Sequence, residues 1–313
     1  MMQGIIFVFA LGALIYSGGL LVKSLVWMGR YLKLSEYTLA FILVAFATSL
    51  PELFVGVTSA LKQAPALSFG NLVGSNVLNI TLVLGASILW SGGIKIDRTI
   101  TKRDMQITLG MVFLPLLLLL DGSISRADGL LLIFFFIGYI IYLSSEDHKE
   151  ILVNSMSGEE FHLTNFLRHL TIFTFGVVLL LGSSSFVVSV GLDFARALAL
   201  PLFLMGVIVS IGTALPELVF GIRSVHLRHP SMSLGNAFGS MIVNFSLILG
   251  LVALIHPIVL ERPARAFFGI IVGAFFVGLV QSVARIKQEL GSAFGALLIA
   301  GAVGFLLVES FLL

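Results

Sequence analysis

Apolar stretches, each about as long as a membrane is thick, alternate along this chain with short polar or Gly/Pro gaps. A hydrocarbon core takes about 20 apolar residues in a helix. Runs of this length therefore predict membrane helices, with Gly, Pro and charged residues as punctuation. Ten are predicted, at about 4–29, 37–60, 67–91, 105–121, 127–143, 166–191, 197–224, 232–256, 266–283 and 291–311. One gap alone is long and polar, 144–165, with Glu146, Asp147, Glu150, Glu159 and Glu160. Its composition reads as a solvated linker between two five-span halves, 1–143 and 166–313. The apolar run from Gly4 to about Met28 is too long for the h-region of a cleavable signal.

Composition sharpens this picture. Of 313 residues, 58% are hydrophobic and 11% charged, with a mean hydropathy of +1.11. A soluble domain is about 25% charged, so a soluble fold is excluded. The absence of Cys excludes a disulfide framework, a thiolate zinc site and a Cys nucleophile. Lys and Arg number 18 against 16 Asp and Glu, with no basic tail, so nucleic acid is not an expected partner. The position of the charges says more than their sum. Twelve Lys and Arg, among them Lys95, Arg103, Lys149, Arg223 and Lys287, fall on one side of the predicted spans. Five fall on the other: Lys62, Arg126, Arg196, Arg262 and Arg265. The richer side is expected to be cytoplasmic, which puts both termini outside. Lys23, within the first span, is expected to snorkel.

The chain also repeats itself. Shifted by 165 residues, Thr48-Ser49-Leu50-Pro51-Glu52-Leu53 falls on Thr213-Ala214-Leu215-Pro216-Glu217-Leu218, and Gly70-Asn71-x-x-Gly74-Ser75 on Gly235-Asn236-x-x-Gly239-Ser240. Asn79 falls on Asn244. Between 48 and 85, 17 of 38 positions are identical to 213–250 with no gap. The repeat motifs occupy 41–90 and 206–255, the second and third spans of each half. Five spans, an odd number, separate equivalent helices, so the halves cross the membrane in opposite directions. The expected fold is an all-α membrane protein of ten transmembrane helices in two inverted five-helix repeats. In such architectures the site lies near the midplane, at the repeat interface.

The repeated polar residues carry the candidate chemistry. Glu52 and Glu217 lie well inside their spans, where an ionised carboxylate costs at least a few kcal/mol without a partner. No Lys or Arg lies at comparable depth, which points to a mobile cation or protons. Pro51 and Pro216 remove a helix hydrogen bond about one turn back, freeing the carbonyls of Ala47 and Gly212 and loosening those of Thr48 and Thr213. Freed carbonyls are hard ligands, and calcium takes six to eight oxygens in irregular geometry. A plain membrane-helix kink is the competing reading of each proline. Ser and Asn four residues apart share a helix face and present neutral oxygens suited to sodium or calcium. Gly70/Gly74 and Gly235/Gly239 spell the G-x-x-x-G of close helix packing, and Gly291/Gly295 reads as packing only. The six histidines show no metal spacing. Phe134-Phe135-Phe136 reads as lipid-facing or packed. Glu309, near the outer end of the last span, reads as hydrated. No P-loop or other nucleotide motif occurs, so no nucleotide is expected.

At the paired T-[SA]-L-P-E and G-N-x-x-G-S-x-x-x-N motifs the chain resembles the cation/calcium exchanger superfamily, and within it the prokaryotic sodium/calcium exchangers. The resemblance spans the whole chain. It implies calcium exchanged for sodium, potassium or protons through a central cavity lined by the repeats. It implies ion ligation by Glu52 and Glu217, by main-chain oxygen of Thr48 and Thr213, and by Ser49, Ser75, Asn79 and Ser240. It also implies a multi-pass protein of a prokaryotic cell membrane, acting as a monomer in the lipid bilayer, with no cofactor and no enzyme activity. Two positions depart from the family pattern, which often has Ser at Ala214 and Asp at Asn244. Ala214 loses a possible sodium ligand. Asn244, still a candidate ligand through its amide, removes a third carboxylate. The site then holds at most two negative charges, and excess positive charge in a low-dielectric site is expensive. Fewer than three monovalent ions per calcium are therefore expected. Two close carboxylates can also share protons, so a calcium/proton exchanger is the alternative. A channel would usually need an oligomeric ring, which duplication inside one chain argues against; an intramembrane enzyme would need a nucleophile with a base or an Asp-rich metal-diphosphate site, and the spans offer neither at sensible spacing.

Overall fold

The computed structural model describes residues 7–17, 19, 20, 24, 45–95, 102–150, 163–228, 230–260 and 262–311. Nearly half of the first expected span, the start of the second, Lys23, His162 and His229 lie outside the described residues. Helix occurs within each of the ten expected spans. In the first half these are α1 (Phe7–Ser17), α2 (Ala45–Thr48), α3 (Leu50–Leu61), α4 (Pro65–Ser91), α5 (Lys102–Leu118) and α6 (Arg126–Glu150). In the second they are α7 (Leu163–Ala197), α8 (Leu202–Thr213), α9 (Leu215–His226), α10 (230–255), α11 (Pro263–Lys287) and α12 (Ser292–Phe311). The second and seventh spans are thus each two helices. Among the described residues, six helices are long and apolar enough to cross a membrane.

Local chemistry sets several boundaries. Pro65, Pro230 and Pro263 each open a helix, where their missing N–H has no helical partner to lose. Gly92 closes α4 in the left-handed conformation, φ 73°, which glycine adopts without a Cβ penalty. The expected linker is shorter than 144–165: α6 continues to Glu150 and α7 begins at Leu163. Charge does not oppose helix once a chain leaves the hydrocarbon, so both helices overrun the apolar boundary.

Helices α4 and α10, equivalent in the two halves, form the centre. Buried residues make up 83% and 78% of their apolar stretches, against 28% for α12. Phe134 faces outward and Phe136 packs on the core. The contacts fix the helix directions. Thr48 meets Asn236 and Ser240, while Gly56, two turns on, meets Ile248 and Val252. The second span therefore runs parallel to α10. The Lys62–Ala64 turn reverses the chain, so α4 runs antiparallel to its own equivalent, as an inverted repeat requires.

Two small antiparallel ribbons, which hydropathy alone did not predict, follow the same symmetry. β1 (Gly93–Lys95) pairs with β4 (Glu289–Gly291), and β2 (Ser123–Ile124) with β3 (Ile258–Val259). The 165-residue shift carries β1 onto β3, so each half's ribbon is completed by the other half. Gly291 is therefore a strand residue rather than a helix-packing one, and a Cβ there would meet nothing within 4 Å. Gly295 does pack, against the Gly85 carbonyl and Ile88. Glu309 is another correction. It is fully buried, with Arg265 Nη1 4.0 Å from its Oε1. The end of α12 packs beside the start of α11, and the guanidinium takes the place of water.

The closest helix approach is between α4 and α8. A Cβ on Gly70 would lie 1.9 Å from the Phe203 carbonyl oxygen, and one on Gly206 2.0 Å from that of Leu67. The two backbones touch, which places the repeat motifs against each other. Gly70→Val is expected to cost about 1–3 kcal/mol or more, lowering the melting temperature of the purified protein by roughly 5 °C or preventing folded expression. Gly110→Ala, with open space around the added carbon, is the control that should melt with the parent.

Candidate functional site

Both broken spans fail at the same place. Pro51 and Pro216 lack the N–H that would bond the carbonyl of Ala47 or Gly212. The chain turns at Ser49 (φ −80°, ψ 2°) and at Ala214 (φ −78°, ψ −4°). Each break sets the C-terminal end of one short helix, at Thr48 or Thr213, beside the N-terminal end of the next. Glu52 and Glu217 sit in the first turn of α3 and α9, where the helix dipole favours negative charge. The end residues Thr48 and Thr213 bring the opposite pole, with carbonyls that have lost helical partners. One break thus offers a carboxylate and main-chain oxygens together.

The breaks are gripped across the repeat interface. Thr48 Oγ1 donates to Asn236 Oδ1 at 3.0 Å and lies 3.2 Å from Ser240 Oγ. Thr213 Oγ1 donates to Asn71 Oδ1 at 3.1 Å and lies 3.2 Å from Ser75 Oγ. The two sets are related by the 165-residue shift. Each half's threonine is held by the other half's central helix, so the threonine side chains are committed to the interface. Asn71 and Asn236 stand in the repeated motif but were not anticipated as partners, because sequence spacing shows only contacts within a half.

The carboxylates are less fully answered. Ser75 Oγ donates to Glu52 Oε1 at 2.9 Å. Glu52 Oε2 and both oxygens of Glu217 have no hydrogen-bond partner among the described residues. Ser75 Oγ, which holds Glu52, also lies 3.2 Å from Thr213 Oγ1 at the break that carries Glu217. Ser49 Oγ, Asn79 Oδ1 and Asn244 Oδ1 are also buried without partners. Each such atom costs about 1–3 kcal/mol if left unanswered. Six oxygens, three of them from carboxylates, make a hard donor set that fits calcium or sodium better than a transition metal. Among the described residues no group of three His, Asp or Glu side chains forms a metal cluster.

Central helices α4 and α10 change pitch at the site. Each carries one π turn, Asn79–Val83 and Asn244–Ile248, opening on the repeated asparagine. Such turns are frequent at functional positions. Asn244 Nδ2 donates to Asn76 Oδ1 at 2.9 Å, tying α10 to α4. Asn76 was not anticipated because its repeat equivalent is Met241, so comparing the halves hides it.

Known proteins resemble this chain over most of its length. The family model described as sodium/calcium exchanger protein matches residues 2–145 and 168–311, one stretch in each half. Sodium/calcium exchanger MaX1 of Methanosarcina acetivorans is 26% identical over 278 residues, covering 76% of this chain and 78% of that protein. Inner membrane protein YrbG of Escherichia coli is 27% identical over 250 residues, covering 78% and 77%. A structure of the sodium-calcium exchanger NCX_Mj, soaked with sodium and strontium, superposes with a TM-score of 0.69 at 25% identity, over 96% of this chain and 97% of that one. Duplicated motifs, inverted halves and these matches together place the chain in the sodium/calcium exchanger protein family.

Proposed function

We propose that this protein exchanges calcium for sodium by alternating access, with Glu52 and Glu217 holding the cation at the interface of the inverted repeats. The six unpartnered buried oxygens, three of them on the two carboxylates, carry this reading. Glu52, Glu217, Ser49, Asn79 and Asn244 supply side-chain oxygens, Ser75 and Ser240 the hydroxyls beside them, and Thr48 and Thr213 the main-chain oxygens. The Lys- and Arg-rich side, with Lys149, faces the cytoplasm.

Charge couples binding to movement. An empty site holds two uncompensated carboxylates and resists closure in a low-dielectric interior. One calcium or two sodium ions neutralise it and make the switch cheap. A ligand shifts such an equilibrium only through its different affinity for the two states, so the empty transporter does not cycle and exchange is enforced. The moving part is α1 with α7. Phe7 and Phe194 stack edge to face at 5.6 Å. Their buried side chains join a cluster separate from the main core, shared with Leu50, Val55, Leu67, Met205 and Val209. Packing divided in this way lets the pair slide over the remaining bundle.

Proteoliposomes loaded with sodium are expected to take up calcium, and Glu52→Gln or Glu217→Gln to bring that uptake to background. Full transport by either variant would remove the site assignment. Uptake driven only by an acid interior, with no sodium, would make this a calcium/proton exchanger.

In the same vesicles exchange should be electroneutral, two sodium ions per calcium, so uptake should carry no current and should not respond to an imposed membrane potential. A clear electrogenic current at three to one would contradict the charge argument built on Asn244.

A further inference from the structure

An amide that faces a cation must present its oxygen, because its NH₂ end carries the positive hydrogens. Some other group must then hold the NH₂. Asn244 meets this condition: its Nδ2 donates to Asn76 Oδ1 at 2.9 Å, and its own Oδ1 is buried without a partner. Asn76 is buried and oriented in turn, with its Nδ2 donating to the Met241 carbonyl at 3.5 Å. With its nitrogen on that carbonyl, its oxygen turns to Asn244. The carbonyl of Met241, the amide of Asn76 and the amide of Asn244 form a chain with one direction, ending in a free oxygen.

We propose that Asn76 is a positioning residue that fixes the Asn244 amide with its oxygen toward the transported cation. This rests on the reading of Asn244 as a ligand. Met241 occupies the equivalent position in the other half, so Asn79, the counterpart of Asn244, has no such guide. Among the described residues both polar atoms of the Asn79 side chain lack a partner. The two amides of the near-symmetric site are therefore unequal, one preset and one unguided. Outer partners of this kind strengthen metal binding by holding a ligand in its bound orientation.

Calcium affinity of the purified protein, read by calorimetry, and the KM and kcat of uptake test the assignment. Asn76→Leu keeps the branched shape at Cγ, with somewhat greater volume, and removes the acceptor. It should weaken calcium binding about 10–100-fold and raise KM in step, with kcat within about twofold. Adding Asn244→Asp should restore affinity to within roughly threefold, because a carboxylate presents oxygen from either end and needs no guide. Unchanged affinity in Asn76→Leu overturns the proposal. So does a loss that Asn244→Asp fails to rescue, which would mark Asn76 as a packing residue. A further readout needs no transport. The Asn244 side-chain NH₂, identified in a nitrogen-15 NMR spectrum by its loss in Asn244→Asp, should exchange slowly with solvent in the parent and rapidly in Asn76→Leu. Rapid exchange in both overturns the chain of amides. Slow exchange in a parent protein that binds no calcium keeps that chain and removes the exchange reading instead.

Discussion

Two carboxylates buried among membrane-crossing helices, with no Lys or Arg beside them among the described residues, constrain everything else in this protein. Burying a charge is costly unless it is paired or hydrogen-bonded. Among the described residues Glu52 Oε1 accepts from Ser75, while Glu52 Oε2 and both Glu217 oxygens have no partner within hydrogen-bond geometry. The fold offsets part of the cost through backbone alone. Proline breaks put each glutamate in the first turn of a helix, at the favourable pole of its dipole. Under the proposed exchange a cation answers the remainder, and the charge that destabilises the empty site would then also select the substrate.

Symmetry explains how one site can face two sides. The inverted halves cross-grip each other through Thr48 with Asn236 and Thr213 with Asn71, and each completes the other's terminal ribbon. Backbone contact at Gly70 and Gly206 holds this interface rigid. Helices α1 and α7 pack beside it, in an apolar cluster that they share with Leu50, Val55, Leu67, Met205 and Val209. Symmetry is broken where the chemistry requires a choice: Ser49 against Ala214, and Asn76 against Met241.

Much of this was legible in the sequence, for identifiable reasons. Apolar runs mark membrane helices because water-free surroundings demand satisfied backbone, and the duplicated Pro-Glu pairs stand out in an apolar background. The prolines read as freeing carbonyls, with a plain kink as the competing reading, and the structure makes them full breaks at Ser49 and Ala214. Other features left little trace. A π turn differs from an α turn by one residue of pairing, and its residues keep helical spacing. The ribbons are two or three residues long, below any periodic signal. Glu309 is 44 residues from Arg265, so its buried partner belongs to tertiary packing. Asn76 was missed because it violates the repeat that revealed its neighbours.

The central claim is that a transported cation sits between the two glutamates. An anomalous difference map from crystals grown in calcium would show it most directly. The account predicts one strong peak, at about 2.3–2.6 Å from carboxylate oxygens of both Glu52 and Glu217, and absent in Glu217→Gln. A peak that touches neither glutamate, or one that survives the substitution unchanged, would contradict it.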